Sequence, residues 1–188
     1  AVFFVSNIAM MIILFPVEFI LLFTKTDYMQ AIINNDVQLA MEASQAIVNM
    51  ESMLVITLLA DIMMILVVCL FCKLIQKRKM STMGFVKKGM IKEYLIGLVA
   101  GFAVFSLAVL LGVVSGGLKI EGFNPNVSIG MLIAFFVGFM IQGMAEEVLC
   151  RSYFMVSLAR RYPMWVAVIL NALFFAALHL GNSGISVL

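Results

Sequence analysis

The chain has 188 residues, of which 64% are hydrophobic and 12% charged, with a net charge of +2 and a mean hydropathy of +1.16. Soluble domains carry about 25% charged residues, so this composition excludes a soluble globular domain and makes lipid the solvent for most of the surface. The small net charge gives no reason to expect nucleic acid as a partner.

Residues 1–23 are apolar apart from Ser6, Asn7 and Glu18, with Pro16 placed to kink a helix. No basic residue precedes this run and it is long enough to cross a bilayer, so it reads as a transmembrane helix and not as a signal peptide. The sequence begins inside an apolar run and stops just after another, so both ends read as cut. Residues 24–52 are more polar and predict an external loop containing an amphipathic helix.

Residues 53–72 form a second span with Asp61 at mid-depth. A carboxylate there is costly, and either a function or a hydrogen bond to a neighbouring helix accounts for it. Cys69 and Cys72 make a CxxC, but no second CxxC or nearby His completes a zinc set, and with Cys150 they read as small hydrophobes. Residues 73–92 hold seven of the twelve basic residues and predict a connector with surface-helix character.

A third span covers 93–114, with Gly97, Gly101 and Gly112 as positions where another helix can approach closely. The stretch 115–126 is a turn-rich loop. One long helix is expected over 128–159, stopped by Pro163, and a fifth span over 164–180, broken by the GNSG at 181–184. The fold class is therefore all-α, a multi-pass bundle of about five spans in a cell membrane. The basic clusters at 73–92 and at Arg151, Arg160 and Arg161 belong on the cytoplasmic side. The acidic 24–52 segment belongs outside.

Two features carry chemistry. Glu146 and Glu147 are successive carboxylates beside an apolar run, and Arg151 follows Glu147 by one helical turn in the favourable acid-first order. That pairing offsets one charge and leaves Glu146 free. In the return helix Asn171, Phe175 and His179 recur every four residues, and Asn182 extends the stripe. Glu147 precedes Pro163 by as many residues as His179 follows it, so a hairpin turning there sets the two level. A carboxylate and an imidazole in a partly dry site can activate water for peptide hydrolysis.

Glu146-Glu147-Val-Leu-Cys-Arg151 and Phe175-Ala-Ala-Leu-His179 resemble the EExxxR and FxxxH motifs of the CAAX protease and bacteriocin-processing intramembrane peptidases. The resemblance covers about 128–188, and the stretch 82–101 also looks like that family. It implies a glutamate-dependent endopeptidase with Glu146 as base, His179 holding the water or the oxyanion, and Glu147 and Arg151 in support. Asn171, Phe175 and Asn182 would then line or support the substrate site. The domain division expected is 1–126, helices and connectors, and 127–188, the first part of the peptidase-family domain. The family's later His and Asn motif is not in this sequence.

The expected partners are the bilayer and a membrane-associated peptide or protein, with no cofactor and no metal. Other readings of the same residues stay open. The charges could mark a helix end where they snorkel to the interface. A zinc site is conceivable, but without HExxH it needs two carboxylates beside the one His. Asp61, Glu146 and His179 could also form a proton or ligand path in a transporter or a bacteriocin-immunity-type protein.

Overall fold

The computed structural model describes residues 2–85, 87–122 and 128–180, and every regular element in them is helical. Among the described residues four helices are long and apolar enough to cross a membrane: Val2–Thr24, Glu51–Ile75, Met90–Val114 and Ile129–Ala159. A fifth apolar helix, Met164–His179, is shorter. Its length of about 24 Å falls below the roughly 30 Å of a bilayer core. The protein is thus a multi-pass all-α membrane bundle. It divides into two compact units, one made of residues 1–83 and 129–188 and the other of residues 84–128.

In the larger unit, α1 (Val2–Thr24) runs unbroken through Pro16. Its two polar side chains near the start are satisfied locally: Ser6 Oγ donates to the Val2 carbonyl at 3.0 Å and Asn7 Nδ2 to the Phe3 carbonyl at 2.8 Å. The expected single helix in the external loop is in fact two, α2 (Thr26–Ile33) and α3 (Val37–Val48). The break has a physical cause. Asn35 adopts a left-handed conformation at φ 53°, and Asp36 then caps α3 by accepting from the Leu39 N–H at 3.0 Å.

The second span joins α4 (Glu51–Ala60) and α5 (Ile62–Leu70) through a turn at Asp61 and ends in a π-helical stretch, Phe71–Ile75. The connector beyond it has less helix than its sequence suggests, only a 3₁₀ turn at Met80–Met83. Lys77 is left-handed at φ 52°, which turns the chain so that Arg78 points inward. Arg78 is only 7% exposed. Its guanidinium donates to Gln76 Oε1 at 3.3 Å, the Thr82 carbonyl at 3.3 Å and the Ser152 carbonyl at 3.4 Å.

The long helix Ile129–Ala159 consists of α7 (Ile129–Glu147), a π-helical stretch Val148–Met155 and α8 (Val156–Ala159). Val148, Leu149 and Cys150 are all buried. Three successive residues fan over about 200° of an α-helix, wider than one contact face, so burying all three is eased by the widened π turn. The two π-helical stretches meet. Phe71 and Tyr153 stack edge to face at 5.7 Å, and Arg78 ties the connector to Ser152.

After the turn at Pro163, the helix α9 (Met164–His179) packs back on the π stretch. Phe174 holds it there, 4.5 Å from Phe154 and edge-on to Phe3 of α1 at 6.3 Å. The GNSG at 181–184 lies outside the described residues. The smaller unit contains α6 (Met90–Val114), a single helix of 25 residues. Of its glycines, Gly112 is approached by the Leu118 side chain of the following turn.

The close helix approach in the larger unit falls at Gly138, where α7 meets α4. A Cβ there would stand 2.9 Å from the Leu58 Cβ. Gly138→Leu is therefore expected to destabilise the protein in detergent by about 1–3 kcal/mol, as overpacking does. Gly143→Ala, with nothing within 4 Å of the added carbon, should be neutral within about 1 kcal/mol. Thermal unfolding of the two variants side by side checks this. Arg78→Met should cost about 1–3 kcal/mol in the same assay, because carbonyls buried around the guanidinium lose their donor.

Candidate active site

The sequence marks two carboxylates and one histidine, and the hairpin about Pro163 sorts them. Glu146 Oε1 stands 3.8 Å from His179 Nε2, and the two side chains are 31% and 34% exposed. Glu147 turns the other way, its Oε2 3.1 Å from Arg151 Nε, in a pair that is largely exposed. Successive helical residues point about 100° apart, so only one glutamate can face α9.

The histidine is held in one orientation. Its Nδ1 lies 2.8 Å from the Phe175 carbonyl, which can only accept, so Nδ1 carries a proton and Nε2 faces Glu146. The Phe175 ring lies 4.5 Å from the imidazole and braces it from the same helix. At 3.8 Å the carboxylate and Nε2 are too far apart for a direct hydrogen bond. A water about 2.8 Å from each oxygen and nitrogen would join both at the apex of a triangle.

Glu146 borders two cavities. The first, of about 300 Å³, also receives His179, Gln142, Asp61 of the second span and Asn7 of α1. The sequence shows Asn7 and Gln142 only as isolated polar residues in apolar helices. Their convergence depends on how four helices are arranged, which spacing within one helix does not report. Asp61 sits at the α4–α5 turn, 9% exposed. The second cavity, of about 430 Å³, is lined by Glu146, Glu147, Arg151, Asn171 and Phe175 with Cys150 and apolar neighbours. Asn171 Oδ1 is buried without a hydrogen-bond partner among the described residues. A buried acceptor without a partner costs about 1–3 kcal/mol, so a ligand that supplies an N–H would relieve it.

The structure thus brings together Glu146 with His179 and Glu147 with Arg151, and it sets Asn171 and Phe175 on the wall of the second cavity. Asn182 lies outside the described residues. Among the described residues no three His, Cys, Asp or Glu side chains converge into a metal-binding group.

Comparison with known proteins bears on the same stretch. Residues 127–188 match the family described as type II CAAX prenyl endopeptidase Rce1-like. This segment is similar to the CAAX endopeptidases. It covers about a third of the chain and includes Glu146, Glu147, Arg151, Asn171, Phe175, His179 and Asn182. Neither the curated proteins nor the solved structures gave a match to the chain.

The exposed Glu147–Arg151 pair is expected to add little to stability. A double-mutant cycle with Glu147→Gln and Arg151→Gln should give a coupling below about 1 kcal/mol, falling further in salt. A coupling of several kcal/mol would mean that lipid or a neighbouring element encloses the pair.

Proposed function

We propose that the protein is an intramembrane endopeptidase of the CAAX type, hydrolysing a peptide bond of a membrane-associated substrate with water activated by Glu146. The observation that carries the reading is Glu146 facing an oriented His179 at 3.8 Å, on the border of two cavities. The resemblance of residues 127–188 to the CAAX endopeptidases supports the same class.

In this reading a water donates one hydrogen bond to the Glu146 carboxylate and one to the unprotonated His179 Nε2, which leaves its lone pair free to attack. The substrate lies in the 430 Å³ cavity with a backbone N–H on Asn171 Oδ1. As the water oxygen bonds to the carbonyl carbon, its proton passes to Glu146. The oxyanion then collapses, the C–N bond breaks, and Glu146 gives the proton to the departing amine. Arg151 pairs with Glu147 on another face of the helix, which keeps the second carboxylate turned away from the water.

The first cavity favours one rival. Asp61, Glu146 and His179 border one space, as a proton or ligand path through the membrane would require. The two readings part on Asp61.

Cleavage of a quenched membrane peptide by the purified protein discriminates between them. Glu146→Gln should lower kcat by about 10²–10⁴-fold and His179→Ala by a similar order, as loss of a base and of its water-holding partner does. Asp61→Asn should leave cleavage within tenfold, and a chelator should change nothing. Loss on chelation would move the reaction to a metal-bound water. Cleavage that survives Glu146→Gln would contradict the proposal.

A further inference from the structure

A third cavity, of about 460 Å³, opens at the basic end of the larger unit, around the turn that leads to Pro163. It is in the size range of small-molecule sites, roughly 300–1,000 Å³. Its polar lining comes from Gln76, Tyr153, Ser157, Arg160, Arg161 and Tyr162. It is remote from the glutamates, since Arg160 follows Glu146 by fourteen residues, or roughly 20 Å of helix.

The charges there are uncompensated. Neither arginine at the rim takes part in an ion pair among the described residues, where the pairs formed are Glu147–Arg151 and Glu146–His179. Behind them Arg78 is nine-tenths buried, bonded to neutral acceptors only, with its Nε–H unpartnered. Two exposed guanidinium groups with a buried third charge at their back make a field that selects an anion.

The remaining groups sharpen the choice. Gln76 Oε1 is occupied by Arg78, so Gln76 offers its amide N–H groups. Ser157 Oγ donates to the Tyr153 carbonyl and so turns lone pairs outward. The cavity therefore sets guanidinium and amide donors beside the hydroxyl-bearing side chains of Ser157, Tyr153 and Tyr162, which can accept, and this suits a phosphate ester whose headgroup carries a hydroxyl. Its rim also sits where lipid headgroups lie. Tyr162 is 50% exposed and Trp165 67% exposed, the amphipathic aromatics of a membrane interface. Lys73, Lys77 and Lys79 share the connector with Gln76, which by the positive-inside rule puts this end at the cytoplasmic leaflet.

We propose that this cavity binds the headgroup of an anionic phospholipid of the cytoplasmic leaflet, its phosphodiester on Arg160 and Arg161 and a headgroup hydroxyl on Ser157. The inference is independent of the peptidase reading, because it uses none of the residues assigned to that reaction.

Native mass spectrometry of the full-length protein in detergent tests it, with dioleoylphosphatidylglycerol, dioleoylphosphatidylcholine and inorganic phosphate as the probes. The protein should retain phosphatidylglycerol at least tenfold better than phosphatidylcholine. Arg160→Gln/Arg161→Gln should lose that preference, and Arg161→Gln alone should weaken it severalfold, which keeps the test open if the double variant does not fold. Lys87→Gln/Lys88→Gln, with the same change of net charge elsewhere, should keep it. Equal retention by the arginine variants, equal loss in the lysine variant, or no preference in the unaltered protein would each overturn the proposal. Binding of inorganic phosphate that displaces the lipid at millimolar concentration would assign the site to free phosphate instead.

Discussion

A carboxylate at depth in a bilayer must be paired or hydrated, and this chain places two of them in succession. The arrangement of the larger unit follows from satisfying both. Glu147 takes Arg151 one turn further along its own helix and needs no other element. Glu146, pointing about 100° away, can be met only by a neighbouring helix, and α9 brings His179 to it. The turn at Pro163, the Phe154–Phe174 contact and the edge-on ring of Phe3 are the packing that holds that helix in register. One neutralised glutamate is spent on the surface, and the other is kept for the space between helices.

The same wall serves two environments. On one side of Glu146 polar groups from four helices gather around a small cavity that can hold water. On the other a cavity carries an acceptor, Asn171 Oδ1, that nothing among the described residues satisfies. A reaction that consumes water and an extended substrate needs both, with the base at the border. The π-helical stretch just after Glu147 contributes by burying Val148, Leu149 and Cys150 together, which fixes the glutamates against rotation of the helix.

Much of this could be read from the residues alone, for reasons that differ by element. The spans follow from apolar runs whose length is set by the bilayer, and the Glu147–Arg151 pair follows from helical spacing. The equal spacing about Pro163 brings the glutamate pair level with His179, but level is all that it gives. Glu147 has the matching count, and it is Glu146 that faces the histidine, because rotation about the helix axis is set by packing and not by position along it. The π-helical stretches and the inward turn of Arg78 were invisible for the same reason. Each depends on what a neighbouring helix offers: Ser152 to Arg78, and Phe71 to Tyr153. The split of the external loop at Asn35 and Asp36 was more accessible, since an Asn-Asn-Asp run carries its own turn and cap signal.

The chemistry of the site depends on Glu146, and not Glu147, being the glutamate that faces His179. Cross-linking in native membranes reads this directly. In full-length protein with Cys69, Cys72 and Cys150 replaced by alanine, paired cysteines are introduced at 146 and 179 or at 147 and 179, and each pair is treated with a short thiol-reactive cross-linker. The structure requires efficient linkage of Glu146→Cys with His179→Cys and little of Glu147→Cys with His179→Cys. Linkage of the second pair in place of the first, or of both equally, would contradict it and remove the basis for assigning the base to Glu146.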